Sequence, residues 1–447
     1  MAVAISGLDL YPRPSPFRRL PGRPRQSTDM TLSACGLDFG TTNSTLGLIS
    51  GGTPHLVALE DGQATIPSAM FFSLEDHSTH FGRKAVFEYV DGAEGRFMRA
   101  LKSVLGTSLM EETTRVGRER LHFGDIIGLF LKSLKATAET AAGAPIEKVV
   151  LGRPVHFVDD DAKADRTAED QLAAAARAQG FSQIEFQFEP VAAALNYERD
   201  VTAEELALVV DIGGGTSDFT VIRLSPQAAK KPDRSDDILA SSGVHIGGTD
   251  FDRVLSLAEV MPSLGLGSST ADGKRRMPVW YFNDLATWHR INLLYTPKIA
   301  RDLFELRRES ADPEKLSRFL KILEHRSGHR LAGKVEAAKI ALTDAEEALI
   351  SLKEPGLDLG RTITRPAFEA AVESLVAGIT GSILECLSQA GIDAAAIDTV
   401  LLTGGSTQIP VVHRAATGLF PGARVVESDA FGSVGLGLAV DARRKFG

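Results

Sequence analysis

From Cys35 onward the chain consists of short apolar runs of strand length, bounded by glycine or polar turns, alternating with longer segments whose apolar residues recur at helical spacing. That alternation predicts an α/β protein. Two runs end alike: Gly36-Leu-Asp-Phe-Gly-Thr-Thr-Asn-Ser44 and Val209-Val-Asp-Ile-Gly-Gly-Gly-Thr-Ser-Asp218 each place an Asp at the end of a strand, then a glycine turn with hydroxyls. A second strand follows each, over Thr45–Ser50 and Phe219–Leu224. The repeat predicts a duplicated lobe. Between the two copies the pattern predicts a helix over Asp125–Ala142, a buried strand over Lys148–Val155 and an alanine-rich helix from about Asp161 to Gln179. A strand over Ile184–Phe188 then runs into Glu189-Pro190. The second copy continues through His245-Ile-Gly-Gly-Thr-Asp-Phe-Asp252, a helix carrying Glu336 and Lys339, the strand-turn Val400-Leu-Leu-Thr-Gly-Gly-Ser406, and a closing helix from near Gly432. Residues 261–330 hold both tryptophans and mix both charge signs, which predicts additional helices on a solvated surface.

At 447 residues there is material for two compact lobes. A net charge of -9 leaves no basic footprint for nucleic acid, so the expected partners are small molecules or proteins. The two cysteines, Cys35 and Cys386, lie in apolar stretches and are expected as buried free thiols, which suits a reducing, cytoplasmic setting. No run approaches the roughly 18 consecutive apolar residues of a membrane helix, so no membrane association is expected. Residues 1–33 are rich in Pro and Arg without a packable period and are expected to form a disordered extension, with Met30 an alternative start. Asp9 interrupts the early apolar run, against a secretory signal.

The chemistry lies in the paired turns. A strand ending in Asp, followed by glycines and hydroxyls, sets backbone N–H groups around an anion while the carboxylate faces a nearby metal ion. Asp38 with Gly40, Thr41 and Thr42 suits one side of a triphosphate, and Asp211 with Gly213, Gly214, Gly215 and Thr216 suits the other. Glycine lets backbone approach phosphate without a Cβ. The alternative is a pair of tight hairpin turns. Neither Gly-x-x-x-x-Gly-Lys-Ser/Thr nor Gly-x-Gly-x-x-Gly after a strand is present, so the two commonest nucleotide motifs are unsupported. His245 beside Gly247-Gly248 reads as a turn histidine.

Taken in order, the two Asp-glycine turns, Glu189-Pro-Val-Ala-Ala-Ala194, His245-Ile-Gly-Gly-Thr-Asp-Phe-Asp252 and Leu402-Thr-Gly-Gly-Ser-Thr-Gln-Ile-Pro410 resemble the successive signatures of the seventy-kilodalton heat-shock (DnaK-like) family, in its truncated, YegD-type branch. The resemblance implies an α/β fold of two actin-like, ribonuclease-H-like lobes around a nucleotide cleft. Lobe I would span 34–203, completed by 426–447, and lobe II would span 204–425 with a helical insertion at about 261–330. It implies ATP and Mg2+ as cofactors, with Asp38 and Asp211 holding the metal through water. Lys102 falls where the family keeps a catalytic lysine, and Glu189, Asp218 and Thr216 would complete the shell around the attacking water. An ordinary surface lysine is the competing reading of Lys102. Glu336 and Lys339 would contact the ribose, although a plain surface pair has the same spacing. Gly404, Gly405 and Ser406 would lie under the sugar and base, and Asp429 would close the pocket. The family's adenine-stacking arginine is replaced by Ile340, and a common arginine by Gln408, so weaker adenine stacking is expected. The expected activity is slow ATP hydrolysis by a monomer, switching a chaperone-like protein without a peptide-binding domain between ATP and ADP states that an unidentified client or partner reads. A small-molecule kinase and a non-catalytic, filament-forming interaction protein are the competing classes on the same clamp.

Overall fold

The computed structural model describes residues 33–158, 161–231, 234–427 and 432–447. The expected N-terminal extension, up to residue 32, and Asp429 lie outside the described residues. The first sheet is built from β1 (Ala34–Phe39), β2 (Asn43–Ser50), β3 (Thr53–Leu56), β4 (Lys148–Arg153) and β5 (Gln183–Phe188) in the order β5-β4-β1-β2-β3, with a short strand, Thr65–Pro67, beside β2. The second is built from β6 (Glu205–Ile212), β7 (Ser217–Leu224), β8 (Ile238–Val244), β9 (Thr399–Thr403) and β10 (Arg424–Glu427), in the order β8-β7-β6-β9-β10. In both, the first strand pairs antiparallel with the second and the second with the third, while the fourth and fifth run parallel to the first. The lobes are therefore topological copies of one another, as the repeated Asp-glycine turn predicts.

Period-2 alternation sets which core each side chain joins. Along β6, Leu208, Val210 and Ile212 enter the large core of the second lobe, while Ala207 and Val209 enter a layer shared with the first sheet. Along β1, Cys35, Leu37 and Phe39 enter the core of the first lobe and Ala34 the shared layer. Both cysteines are buried free thiols. Two helices fill the shared layer: α1 (Glu189–Tyr197) contributes Val191 to Leu195, and α5 (Ser433–Phe446), at the far end of the chain, contributes Val434, Leu438 and Ala442.

Glycine makes that layer thin enough to fit. A Cβ on Gly36 would lie 2.2 Å from the α5 backbone, one on Gly47 2.4 Å from the Gly435 carbonyl, and one on Gly437 1.7 Å from the Ala192 carbonyl. The α5 backbone thus rests directly on two strands and on α1. The longest helix, α4 (Arg365–Ala390), is long and apolar enough to meet the length and composition of a membrane span, but here it covers the second sheet and buries Phe368, Val372, Ile379 and Ile383.

The stretch predicted to add helices does so, over Val279–Ala286, Pro297–Glu309 and Pro313–Glu324. It is less solvated than its charges suggest: Tyr281, Phe282, Leu285, Leu303, Leu316 and Phe319 are part of the second lobe's core. Helical spacing of these side chains, broken by charge, marks amphipathic helices.

Candidate functional site

Asp38 and Asp211 hold matching positions, each the penultimate residue of the central strand of its sheet. The turns that follow meet face to face. A Cβ on Gly214 would lie 1.8 Å from the Thr42 hydroxyl oxygen, and one on Gly215 3.0 Å from that of Thr41. None of Gly213, Gly214 or Gly215 has a left-handed φ, so glycine serves room rather than backbone conformation at the second and third positions. Gly213 is different, with its nearest neighbour at 3.8 Å.

The carbonyls of this turn are tied back. Gly213 O accepts from the Gly248 N–H and the Ser406 hydroxyl, both at 3.0 Å, and Gly214 O accepts from the Thr249 N–H and hydroxyl, both at 2.8 Å. These donors sit at the start of α2 (Gly248–Leu255) and in the turn after β9. In that turn Gly404 has φ 80, and a Cβ there would lie 2.4 Å from the Ile212 carbonyl and 2.7 Å from the Asp211 carboxylate. Three turns, from β1, β6 and β9, therefore meet at one place.

Lys102 is no surface lysine. It lies in the short helical turn Leu101–Val104, entered through Ala100 at φ 58, and its side chain is 7% exposed and ion-paired to Glu189, the first residue of α1. The left-handed Ala100, an uncommon state for a residue with a Cβ, turns the lysine inward. Asp218, at the start of β7, accepts from the Val155 N–H at 2.7 Å and from the Thr216 hydroxyl. Burial pushes Asp38 and Asp218 up to about 7, with Glu189 adding to it, and holds Asp211 well above the usual carboxylate range with help from Glu189 and Asp218. Burial alone would lower the Lys102 ammonium, but Glu189, Asp38 and Asp218 outweigh it and raise it. The site thus gathers Asp38, Asp211, Asp218 and Glu189 around one ammonium, that of Lys102. Among the described residues, no three carboxylate, thiol or imidazole groups converge closely enough to ligate a metal ion directly.

Glu336 and Lys339 share a helix, α3 (Gly328–Ala341), but have separate partners. Glu336 takes a two-pronged ion pair from Arg99 at 2.9 and 3.0 Å; burial would raise its carboxyl, and Arg99 instead pulls it down to about 2. Lys339 donates to the Gly248 carbonyl at 3.0 Å and pairs with Asp252 at 2.9 Å. Gly405 and Ser406 begin the short turn after Gly404, and Ile340 is 56% exposed.

Sequence reasoning missed a second contact between the lobes. Tyr89, on the helix Gly82–Asp91, and Phe97, on the strand Gly95–Arg99, stack at 4.5 Å. Across the cleft, His329 and Trp288 pack edge-on against them, and Arg99 lies 4.8 Å over the Trp288 ring. The His329 Nε2–H donates to the Trp288 carbonyl at 3.0 Å, which leaves Nδ1 to accept the Tyr89 hydroxyl. No local pattern announces partners so far apart in sequence. Asp252 could have been found, since it lies four positions after Gly248 in a motif already singled out.

Between this contact and the two Asp-glycine turns lies a cavity of about 670 Å3. Thr41, Thr42, Gly215, Arg99, Trp280 and Glu336 are among the residues that line it.

Two copies of one sheet, joined by a shared helical layer and closing Asp-glycine turns on a common cleft, define a two-lobed, actin-like fold of the ATPase type. The family model described as "Hsp70 protein" matches residues 34–259 and 321–443. The chain belongs to the Hsp70 family. Among curated proteins it is similar to the "Chaperone protein DnaK" of two strains of Thermus thermophilus, 27% identical to each over 409 residues, covering 85% of this chain and 56% of each relative. The chain thus spans little more than half the length of those relatives.

Proposed function

We propose that the chain binds ATP with Mg2+ between its two lobes and hydrolyses it slowly, as the switching element of a chaperone-like system. The observation that carries this reading is the meeting of the two Asp-glycine turns beside a buried lysine ringed by carboxylates. In it, Thr41, Thr42 and Gly213 to Thr216 bind the phosphates through backbone and hydroxyl donors. Asp38 and Asp211 fit a hard divalent ion held through its own waters: they hold matching positions at the ends of the two central strands, and among the described residues no set of three carboxylate, thiol or imidazole groups converges to ligate an ion directly. That ion would offset charge on the phosphates. Lys102 orients the attacking water and stabilises charge developing on the γ-phosphate, while Glu189 and Asp218 hold the water's protons. Glu336, Lys339, Gly404, Gly405 and Ser406 bound the nucleoside side.

Because Thr42 already rests on Gly214, a triphosphate enters only as the turns part. Nucleotide state is thereby coupled to lobe angle, which a separate protein can read. Phosphate release from ATP with Mg2+, with no added acceptor, tests the reading. Lys102→Ala is expected to lower the rate about 100- to 1,000-fold, as loss of one transition-state donor does, while calorimetry still shows ATP bound. Equal rates in the two proteins would remove Lys102 from the chemistry.

A further inference from the structure

The helix Pro297–Glu309 lies in the 260–320 stretch outside the Hsp70 match, and none of its residues lines the cleft between the lobes. Its start is fixed: the Thr296 hydroxyl accepts from the Ile299 N–H at 3.3 Å, and Pro297 opens the first turn. One face packs through Ile299, Leu303 and Leu306 onto the core of the second lobe. The opposite face carries Arg301, Phe304, Glu305 and Arg308, at i, i+3, i+4 and i+7, all exposed, with exposed Lys298 beside them.

Arg275, Arg290 and Lys315 of the same stretch pair with Glu309, Asp284 and Asp312, at 2.7, 2.5 and 3.3 Å. The side chains of Lys298, Arg301 and Arg308 have no ion pair or hydrogen bond among the described residues. Arg307 lies 5.1 Å over the Phe304 ring and adds a fourth positive charge. Against these stand Glu305 and Glu314, the exposed carboxylates left unpaired on this helix and its neighbour Pro313–Glu324. The helix dipole favours cations in the last turn, which accounts for Arg307 and Arg308. It accounts neither for Arg301 nor for a phenylalanine left 49% exposed among them.

Arg301 and Arg308 are seven residues apart, about 10 Å along the axis, with the ring between them. That spacing matches two carboxylates seven residues apart on a second helix, with an apolar side chain between them to cover Phe304. Guanidinium takes a carboxylate by a two-pronged fork, so each arginine orients its partner as well as attracting it. A continuous phosphate backbone fits this face less well, because Glu305 stands between the two arginines and the whole chain carries a net charge of -9. We propose that this face docks a helical segment of a partner protein, one carrying two carboxylates seven residues apart with an apolar residue between them. The docking surface is built by the added stretch alone and stands independently of the nucleotide reading.

The full chain is titrated at low salt against a fluorescein-labelled, alanine-based helical peptide bearing two Glu seven residues apart with Leu between them, following anisotropy. Saturable binding with a Kd near or below ~1 mM is expected, weakening as salt is raised. The double variant Arg301→Glu, Arg308→Glu is expected to weaken it at least about tenfold, and to bind instead a peptide with Lys in place of both Glu. Misfolding cannot produce that reversal. Phe304→Ser, which leaves the charges intact, is expected to weaken binding of the Glu peptide about tenfold as the apolar contact is lost. ATP binding, measured by calorimetry, is expected to be unchanged in both variants. No saturable binding of the Glu peptide, equal binding by the double variant, or tighter binding of an oligothymidylate or of phosphatidylserine vesicles overturns the proposal. Peptide binding without ATP binding would sink the nucleotide reading and leave this one standing; ATP binding without peptide binding would do the reverse.

Discussion

His329 offers a direct test of the contact that spans the cleft. Burial is the main force lowering its pKa, from 6.5 to about 4; the Trp288 carbonyl opposes this, and Arg96 and Arg99 add to it. With Nε2–H committed to Trp288, a proton on Nδ1 would replace the acceptor that Tyr89 needs. In the unfolded chain the imidazole takes up its proton near 6.5, in the folded chain near 4. Between those values the unfolded state holds more protons, so stability falls as pH falls; below about 4 both states are charged and the loss is complete. The difference of about 2.5 pKa units corresponds to about 3 kcal/mol. Urea unfolding of the wild type and His329→Gln, from pH 7 to pH 4, isolates this contribution. The raised carboxyls of Asp38 and Asp218 act with the opposite sign but equally in both proteins, so they cancel in the difference. The stability gap between wild type and variant is expected to shift by about 3 kcal/mol against the wild type across that window. A gap constant to within about 0.5 kcal/mol, the usual error of additivity, would mean that His329 titrates as an exposed residue and that the contact is open.

Adjacent glycines of the second Asp-glycine turn should respond unequally to a methyl group. Gly214→Ala drives a Cβ into Thr42 and is expected to cost about 1–3 kcal/mol in thermal unfolding, whereas Gly213→Ala meets nothing nearer than 3.8 Å and should cost little. Matched losses would mean that the two turns do not touch. Gly437→Ala, whose Cβ would lie 1.7 Å from the Ala192 carbonyl, is expected to cost about 3 kcal/mol or more, read as a lowered urea midpoint; a wild-type midpoint would show that α5 is not seated against α1.

Much of the fold was legible because its signals are local. Strand-length apolar runs and Asp-glycine turns lie within a few residues of one another, and the duplication they predict returns as two sheets of identical order. The meeting of the two Asp-glycine turns was legible for the same reason. The burial of Lys102 was not legible locally; only the family resemblance singled that residue out, since nothing in Arg99-Ala-Leu-Lys102 distinguishes a lysine turned inward by a left-handed Ala100 from one on the surface. Nor were the partners of Glu336 and Lys339, which local spacing pairs with each other and the structure pairs with Arg99 and Asp252. Contacts made between distant segments leave no periodic trace. The added helices were foreseen as helices, but their burial depends on a sheet that their own sequence does not describe.

The seating of α5 on the first sheet bears on the order of assembly. Gly36 and Gly47, near the start of the described chain, have their backbones covered by a helix that begins at Ser433. Until that segment is made, one face of β1 and β2 has no cover, and the closing contacts join opposite ends of the described chain. Long-range closure of this kind is slow and leaves an apolar surface exposed in the interval. The first lobe, although first in sequence, is therefore finished last, and a ribosome-bound chain short of Ser433 is expected to hold a sheet open to aggregation.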